Sequence, residues 1–277
     1  MTEQWFIVPA SARWLNRTQE VVRGRLRPLD EGVMNVRKEA ESQTARVLWI
    51  LSALAKVPQA SVRELSTETG IPVSSVYRLL DHLVFSGFVH KTSSGHYGAG
   101  AAAVQLAERY WDSSLDSGTV TPYLRQLAQD TGELAAFIVA HGAESVCVKS
   151  IDSSQLLRCS YTVGTTQPLT LGASATMLLA YMSAEQRAAV LDFHEVDDAT
   201  RQYVNSACAT ARASGYAVSL SQVEEGVWTV SAPVTDIDGD VQGVVSLMAP
   251  AHRSLERQAE LIQQTCKTAL SLSGGIK

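Results

Sequence analysis

The sequence is short of the residues that advertise chemistry. Its only cysteines are Cys147, Cys159, Cys208 and Cys266; they form no CxxC pair and have no histidine at metal-ligand spacing. That pattern excludes a zinc site and leaves reduced thiols in packed elements. His194 and His252 have no GxSxG nucleophile elbow to serve. Glu224 and Glu225 are adjacent, so on a strand or loop they point opposite ways, and nothing in the sequence places a second group to complete an acid–base pair. Catalytic residues, a metal and a cofactor are all unexpected. No apolar run approaches the roughly 20 residues that cross a bilayer, and the N-terminus lacks the basic, apolar and cleavage-site blocks of a secretory signal. A cytoplasmic protein with no membrane partner is the expectation.

Charge is scarce as well: 18% of the 277 residues are charged, with a net charge of −5. With 45% apolar residues, this is an ordinary globular composition, long enough for two domains with a core in each. The acidity is unevenly placed. Residues 44–100 carry five basic side chains (Arg46, Lys56, Arg63, Arg78, Lys91) against three acidic ones (Glu64, Glu68, Asp81). Residues 101–277 carry eleven basic and nineteen acidic residues. The small basic bias of the first segment suits a phosphate backbone, and its weakness suggests that one copy alone holds DNA poorly.

What is present in that basic segment is an ordered series of signals. Ala45 to Lys56 reads as a scaffold helix stopped near Pro58. Ser61 is a candidate N-cap with Glu64 in the capping-box position, and Val62, Leu65 and Ile71 supply the apolar face of the next helix and turn. Gly70 ends that helix and Pro72 opens another, in which Val76, Leu79, Leu80 and Leu83 recur at helical spacing. Ser74, Ser75, Tyr77 and Arg78 fall off that apolar stripe. Phe88 to Tyr97 reads as a hairpin with a Ser/Gly tip and Lys91 at its base. Helix, turn, helix and basic hairpin make a winged helix-turn-helix, a device for placing one helix in a DNA groove.

The flanks carry less. Residues 1–43 show no sustained period and read as a flexible extension; its cluster Arg17, Arg23, Arg25 and Arg27 leaves open a basic arm on phosphates or a minor groove. Ala101 to Ser114 reads as a linker helix and Pro122 to Thr131 as a second amphipathic one. From Ala135 six β-rich runs appear, among them LLRCSYTVG, in which Leu157, Cys159, Tyr161 and Val163 would share one strand face. Helices are expected over Ala173–Met182, Ala184–Phe193, Thr200–Ser214 and Leu255–Leu272. The fold class is α+β, divided into the extension (1–43), the winged domain (44–100), the linker (101–117) and an antiparallel-sheet domain (118–277).

The segments GIPVSSVYRLLDHLVFSGFV, VGTTQPLTLGASATMLLAYM and SGYAVSLSQVEEGVWTVSAPVTDIDGDVQGVVSLMAP, in that order and spacing, resemble the IclR family of bacterial transcriptional regulators over about Thr44 to Leu272. The resemblance implies a winged domain that binds operator DNA and a GAF-like domain that binds a small effector, in a chain that self-associates as a dimer or tetramer. It places the recognition helix at Val73–Leu83, with Ser74, Ser75, Tyr77 and Arg78 facing DNA. Val73 stands where the family often has a basic residue, and Tyr77 where it commonly has His. It implies effector contacts from Gly172 and Ala173 and from Ser219, Thr229 and Ser246, with apolar walls from Leu157, Cys159, Val163 and Met177. Thr170, Thr176, Ser219 and Thr229 replace frequent His, Lys, acidic and Cys residues, so the pocket offers hydroxyls in place of charges. A Gly-Ala step that opens a helix leaves N–H groups suited to an anion. The implied effector is a small, partly apolar molecule with one polar or carboxylate end, such as an organic or aromatic acid. The implied role is control of a neighbouring catabolic operon. Two other readings compete: a small-molecule enzyme whose N-terminal domain is an interaction module, and a regulator that works without ligand.

Overall fold

The computed structural model describes residues 42–114 and 117–273. Nearly all of the N-terminal extension, including its arginine cluster, lies outside the described residues, as does the side chain of Trp111. The chain forms two compact units, one running to Asp112 and the other starting at Ser113.

The first unit holds α1 (Gln43–Ala55), α2 (Val62–Thr69), α3 (Val73–Phe85), β1 (Val89–Lys91), β2 (Tyr97–Ala99) and all but the last two residues of α4 (Ala101–Ser114). Local signals start and stop these helices. The Ser42 hydroxyl accepts from the Ala45 N–H at the start of α1. The capping box of α2 closes in both directions: Glu64 N–H donates to Ser61 Oγ at 3.3 Å, and Ser61 N–H to Glu64 Oε2 at 2.7 Å. That backbone N–H holds the Glu64 carboxyl below its ordinary pKa. Gly70, at φ 69°, ends α2 in the left-handed conformation. Pro72 lies one position outside α3 as its cap, not in its first turn. Ile50, Leu54, Leu65, Ile71, Val76, Leu79, Leu80 and Leu83 close the core under the hairpin residues Val89 and Tyr97. Ala60 pairs with Tyr97 through N–H···O bonds of 2.9 and 2.8 Å, which ties the segment before α2 to the hairpin.

The second unit contains α5 (Ser117–Thr131), β3 (Leu134–His141), β4 (Glu144–Ile151), β5 (Thr166–Pro168), α6 (Gly172–Tyr181), α7 (Ala184–Phe193), α8 (Asp198–Ser214), β6 (Ala217–Leu220), β7 (Val227–Thr235), β8 (Val241–Pro250), α9 (Ala251–Ser254) and α10 (Gln258–Ser273). Its six strands form one antiparallel sheet in the order β5-β4-β3-β8-β7-β6. Leu134, Ala136 and Ile138 of β3 and Val244 and Met248 of β8 share a buried cluster with α6 and α8. Their alternates Ala135, Phe137, Val245 and Leu247 are equally buried, because α5 packs on β3 and α10 on β7 and β8. Both faces of the sheet are covered.

Three expectations change. The run LLRCSYTVG is not a strand: residues 152–165 are irregular, with Leu156 and Leu157 exposed. The outer edge of β4 is taken instead by β5, and Cys147 bonds through its own N–H and carbonyl to Thr165 and Gly164. The odd-numbered residues from 157 to 163 therefore share no strand face. The C-terminal helix opens at Gln258, three residues later than expected, behind the separate short α9, and the helix expected to open at Pro122 begins at Ser117 with Pro122 inside it.

Candidate functional site

In the first unit, α3 buries Val76, Leu79, Leu80 and Leu83 and turns Ser74, Tyr77 and Arg78 outward, with Ser75 half-buried. No side chain caps its N-terminus, so the two serine hydroxyls are not consumed there. Lys91 is exposed on the wing, with Nζ 5.5 Å from the centre of the Tyr97 ring, a cation–π distance. The wing tip is fixed by Thr92, whose Oγ1 accepts from His96 N–H at 3.1 Å.

In the second unit a cavity of about 60 Å³ opens where α6 meets the sheet. Its floor comes from three neighbouring strands, since Ser219 of β6 pairs with Thr229 of β7, which pairs with Met248 of β8. Gly172 and Ala173 at the start of α6 form one wall. The irregular segment supplies Cys159 and Tyr161, and the β6–β7 loop supplies Val223 and Glu224. Burial pushes the Cys159 thiol up to about 11 and the Tyr161 hydroxyl to about 12. Both groups are neutral hydrogen-bonding groups at physiological pH. Glu224 is the one charged side chain among those lining the cavity.

The N–H groups expected to be unpaired have partners. Gly172 N–H donates to Gln222 Oε1 at 3.1 Å, and Ala173 N–H donates to Ser219 Oγ at 3.1 Å. Gln222, whose Nε2 donates to Tyr203 Oη at 3.3 Å, had no signal in the sequence; it lies 50 positions from its partner. Five residues named from sequence meet at the cavity: Gly172, Ala173, Ser219, Thr229 and Cys159. The other four lie elsewhere. Met177 is fully buried in the core, and Leu157 and Val163 are exposed on the irregular segment. Ser246 is fully buried beside the floor, its hydroxyl 2.8 Å from that of Ser231. His194 is a packing residue: its Nε2 lies 2.7 Å from the Ala143 carbonyl oxygen. Among the described residues no group of three or more His, Cys, Asp or Glu could hold a metal, and no helix is long and apolar enough to cross a membrane.

Comparison with known proteins settles the lineage. The model of the bacterial transcriptional regulator IclR C-terminal domain matches residues 117–274, more than half of the chain, and that of the IclR helix-turn-helix domain matches residues 43–93. The chain belongs to the IclR family. It is a transcriptional regulator with a DNA-binding and an effector-binding half, not an enzyme. It is 24% identical over 226 residues to the HTH-type transcriptional regulator KipR of Bacillus subtilis, covering 79% of this chain and 90% of KipR. A solved IclR regulator from Silicibacter sp. TM1040 superposes with a TM-score of 0.76 at 22% identity, covering 84% of this chain and 95% of that one. An IclR homologue from Microbacterium hydrocarbonoxydans in complex with 4-hydroxybenzoate gives a TM-score of 0.67 at 18% identity, covering 84% and 98%. These two likenesses speak for the fold.

Proposed function

We propose that this IclR-family regulator reads its operator with the outward face of α3 and the wing, through Ser74, Ser75, Tyr77, Arg78 and Lys91. We further propose that an organic or aromatic acid, held at the start of α6, alters that affinity. The observation that carries the first half is the division of α3: four leucine and valine side chains are sealed while hydroxyls and a guanidinium face solvent. Hydroxyls can bond bases or phosphates, and a guanidinium can fork onto a guanine edge. The second half is supported by the cavity, which joins helix-terminal amides to the hydroxyls of Ser219, Thr229 and Tyr161, and by the 4-hydroxybenzoate bound to a protein of the same fold.

The regulator works in the cytoplasm on a neighbouring catabolic operon, as a dimer or tetramer. The slight basic charge of the winged segment favours two readers over one. Arg78→Ala is expected to weaken binding to the upstream DNA by about 1–3 kcal/mol, the worth of a bidentate base contact, in fluorescence anisotropy at fixed salt. Unchanged affinity would remove Arg78 from the reading set.

A further inference from the structure

A ligand that enters the cavity as drawn above finds both helix-terminal amides in use. Gly172 N–H is bonded to Gln222 and Ala173 N–H to Ser219. It also finds too little room: about 60 Å³, where a cavity that holds a benzene ring has ~150 Å³. A wall has to move, and the walls differ in how firmly they are held. Gly172 and Ala173 belong to a buried helix, and Ser219, Thr229 and Met248 to the sheet. Residues 221–226 form a loop in which Val223, Glu224, Glu225 and Gly226 are exposed. Its ends are two left-handed residues, Ser221 at φ 55° and Gly226 at φ 77°, linked by the Gly226 N–H to Ser221 Oγ bond of 3.0 Å. The same loop lies across the start of α6, since a methyl group on Gly172 would come within 3.0 Å of Val223 Cγ2.

We propose that Gln222 is an internal stand-in for the effector. Its carboxamide oxygen occupies the acceptor position on Gly172, and the β6–β7 loop that carries it swings out when a ligand with an acceptor oxygen takes that position. The proposal rests on the effector-pocket reading above. The energetics favour exchange: Gln222 is held by two neutral hydrogen bonds, each worth about a factor of 2–10 in an equilibrium. A carboxylate makes charge-assisted bonds of roughly twice the strength at a helix N-terminus. Departure of the loop also carries away Glu224, which would otherwise repel an anion. Gln222 thus sets a threshold that a carboxylate passes readily and a neutral carbonyl passes only on even terms.

The test uses the full chain with Gln222→Ala and Gln222→Glu. Without ligand, residue-resolved hydrogen exchange should show the Gly172 amide several-fold faster in Gln222→Ala, with the Ala173 amide unchanged. Calorimetry with 4-hydroxybenzoate and 4-hydroxybenzamide as probes should show the acid binding about 2- to 10-fold tighter to Gln222→Ala than to the native chain. Gln222→Glu, with a carboxylate tethered at the amide, should bind the acid at least tenfold more weakly. Unchanged Gly172 exchange, or weaker acid binding by Gln222→Ala, overturns the proposal. Silence of both probes in every form counts against the effector-pocket reading, and Gly172 exchange then decides alone whether Gln222 occupies the amide.

Discussion

Replacing Arg253 with alanine is expected to lower the stability of the second unit by about 3–5 kcal/mol, the cost of stripping one partner from a buried ion pair. The Glu133 carboxylate is 2% exposed. Both of its oxygens are taken by one guanidinium, through Nε at 2.9 Å and Nη2 at 2.8 Å. The contact lifts the Arg253 pKa above its ordinary value, chiefly through the hydrogen bonds to Glu133. With Arg253 gone, the carboxylate at the end of the sheet loses its donor fork and its bonded counter-charge, and keeps only the weaker field of Arg257. The third arm matters equally: Arg253 Nη1 donates to the Leu157 carbonyl at 2.7 Å, which pins the irregular segment that supplies Cys159 and Tyr161 to the cavity. Urea unfolding should show the loss, and Arg253→Lys, which keeps the charge without the fork, should recover part of it. A loss below about 1 kcal/mol would mean that the pair behaves like an ordinary surface bridge.

Gly100→Ala should be as damaging to the first unit. A Cβ built there lies 2.1 Å from the Gly87 carbonyl oxygen and 2.8 Å from the Val89 nitrogen, so the clash is with backbone, which has no rotamer to change. Gly100 N–H donates to Phe88 at 2.8 Å, and Gly87 accepts from Ala102 at 3.1 Å, so the contact joins the end of the wing to the start of α4. Overpacking of a fitted site costs about 1–3 kcal/mol and sometimes more, and the upper end is expected here. Hydrogen exchange should rise across α3 and the hairpin and stay native in the sheet, and operator affinity should fall with the folded fraction. Native-like exchange in the hairpin would show that the two segments can part without cost.

The parts of this fold that could be read from sequence are those in which neighbours decide the structure. The capping box at Ser61 and Glu64, the left-handed stop at Gly70 and the helical spacing of Val76, Leu79, Leu80 and Leu83 are all local, and all form. The run from Leu156 to Gly164 carries the same apolar signature as the true strands, but strand formation needs a partner edge, and β5 takes it. The candidate pocket divides along the same line. Gly172 and Ala173 open a helix, and helix ends are legible; Gln222 reaches Gly172 across 50 positions and Arg253 reaches Glu133 across 120, and no periodicity encodes such meetings. Ser246 and Met177 belong to β8 and α6, which both build the cavity, but each is fully buried and neither lines it, a difference of packing that helix or strand periodicity alone does not resolve.

The hydroxyl pair of Ser231 and Ser246 sets a limit on how this pocket can diverge. Each serine is fully buried and bonds to the other beside the cavity floor. Changing one to an apolar residue strands its partner at about 1–3 kcal/mol, whereas changing both can be nearly neutral. Single substitutions therefore cross a fitness valley that a coupled pair avoids. Among descendants of this sequence the two positions should drift together, leaving a signature of covariation on adjacent strands.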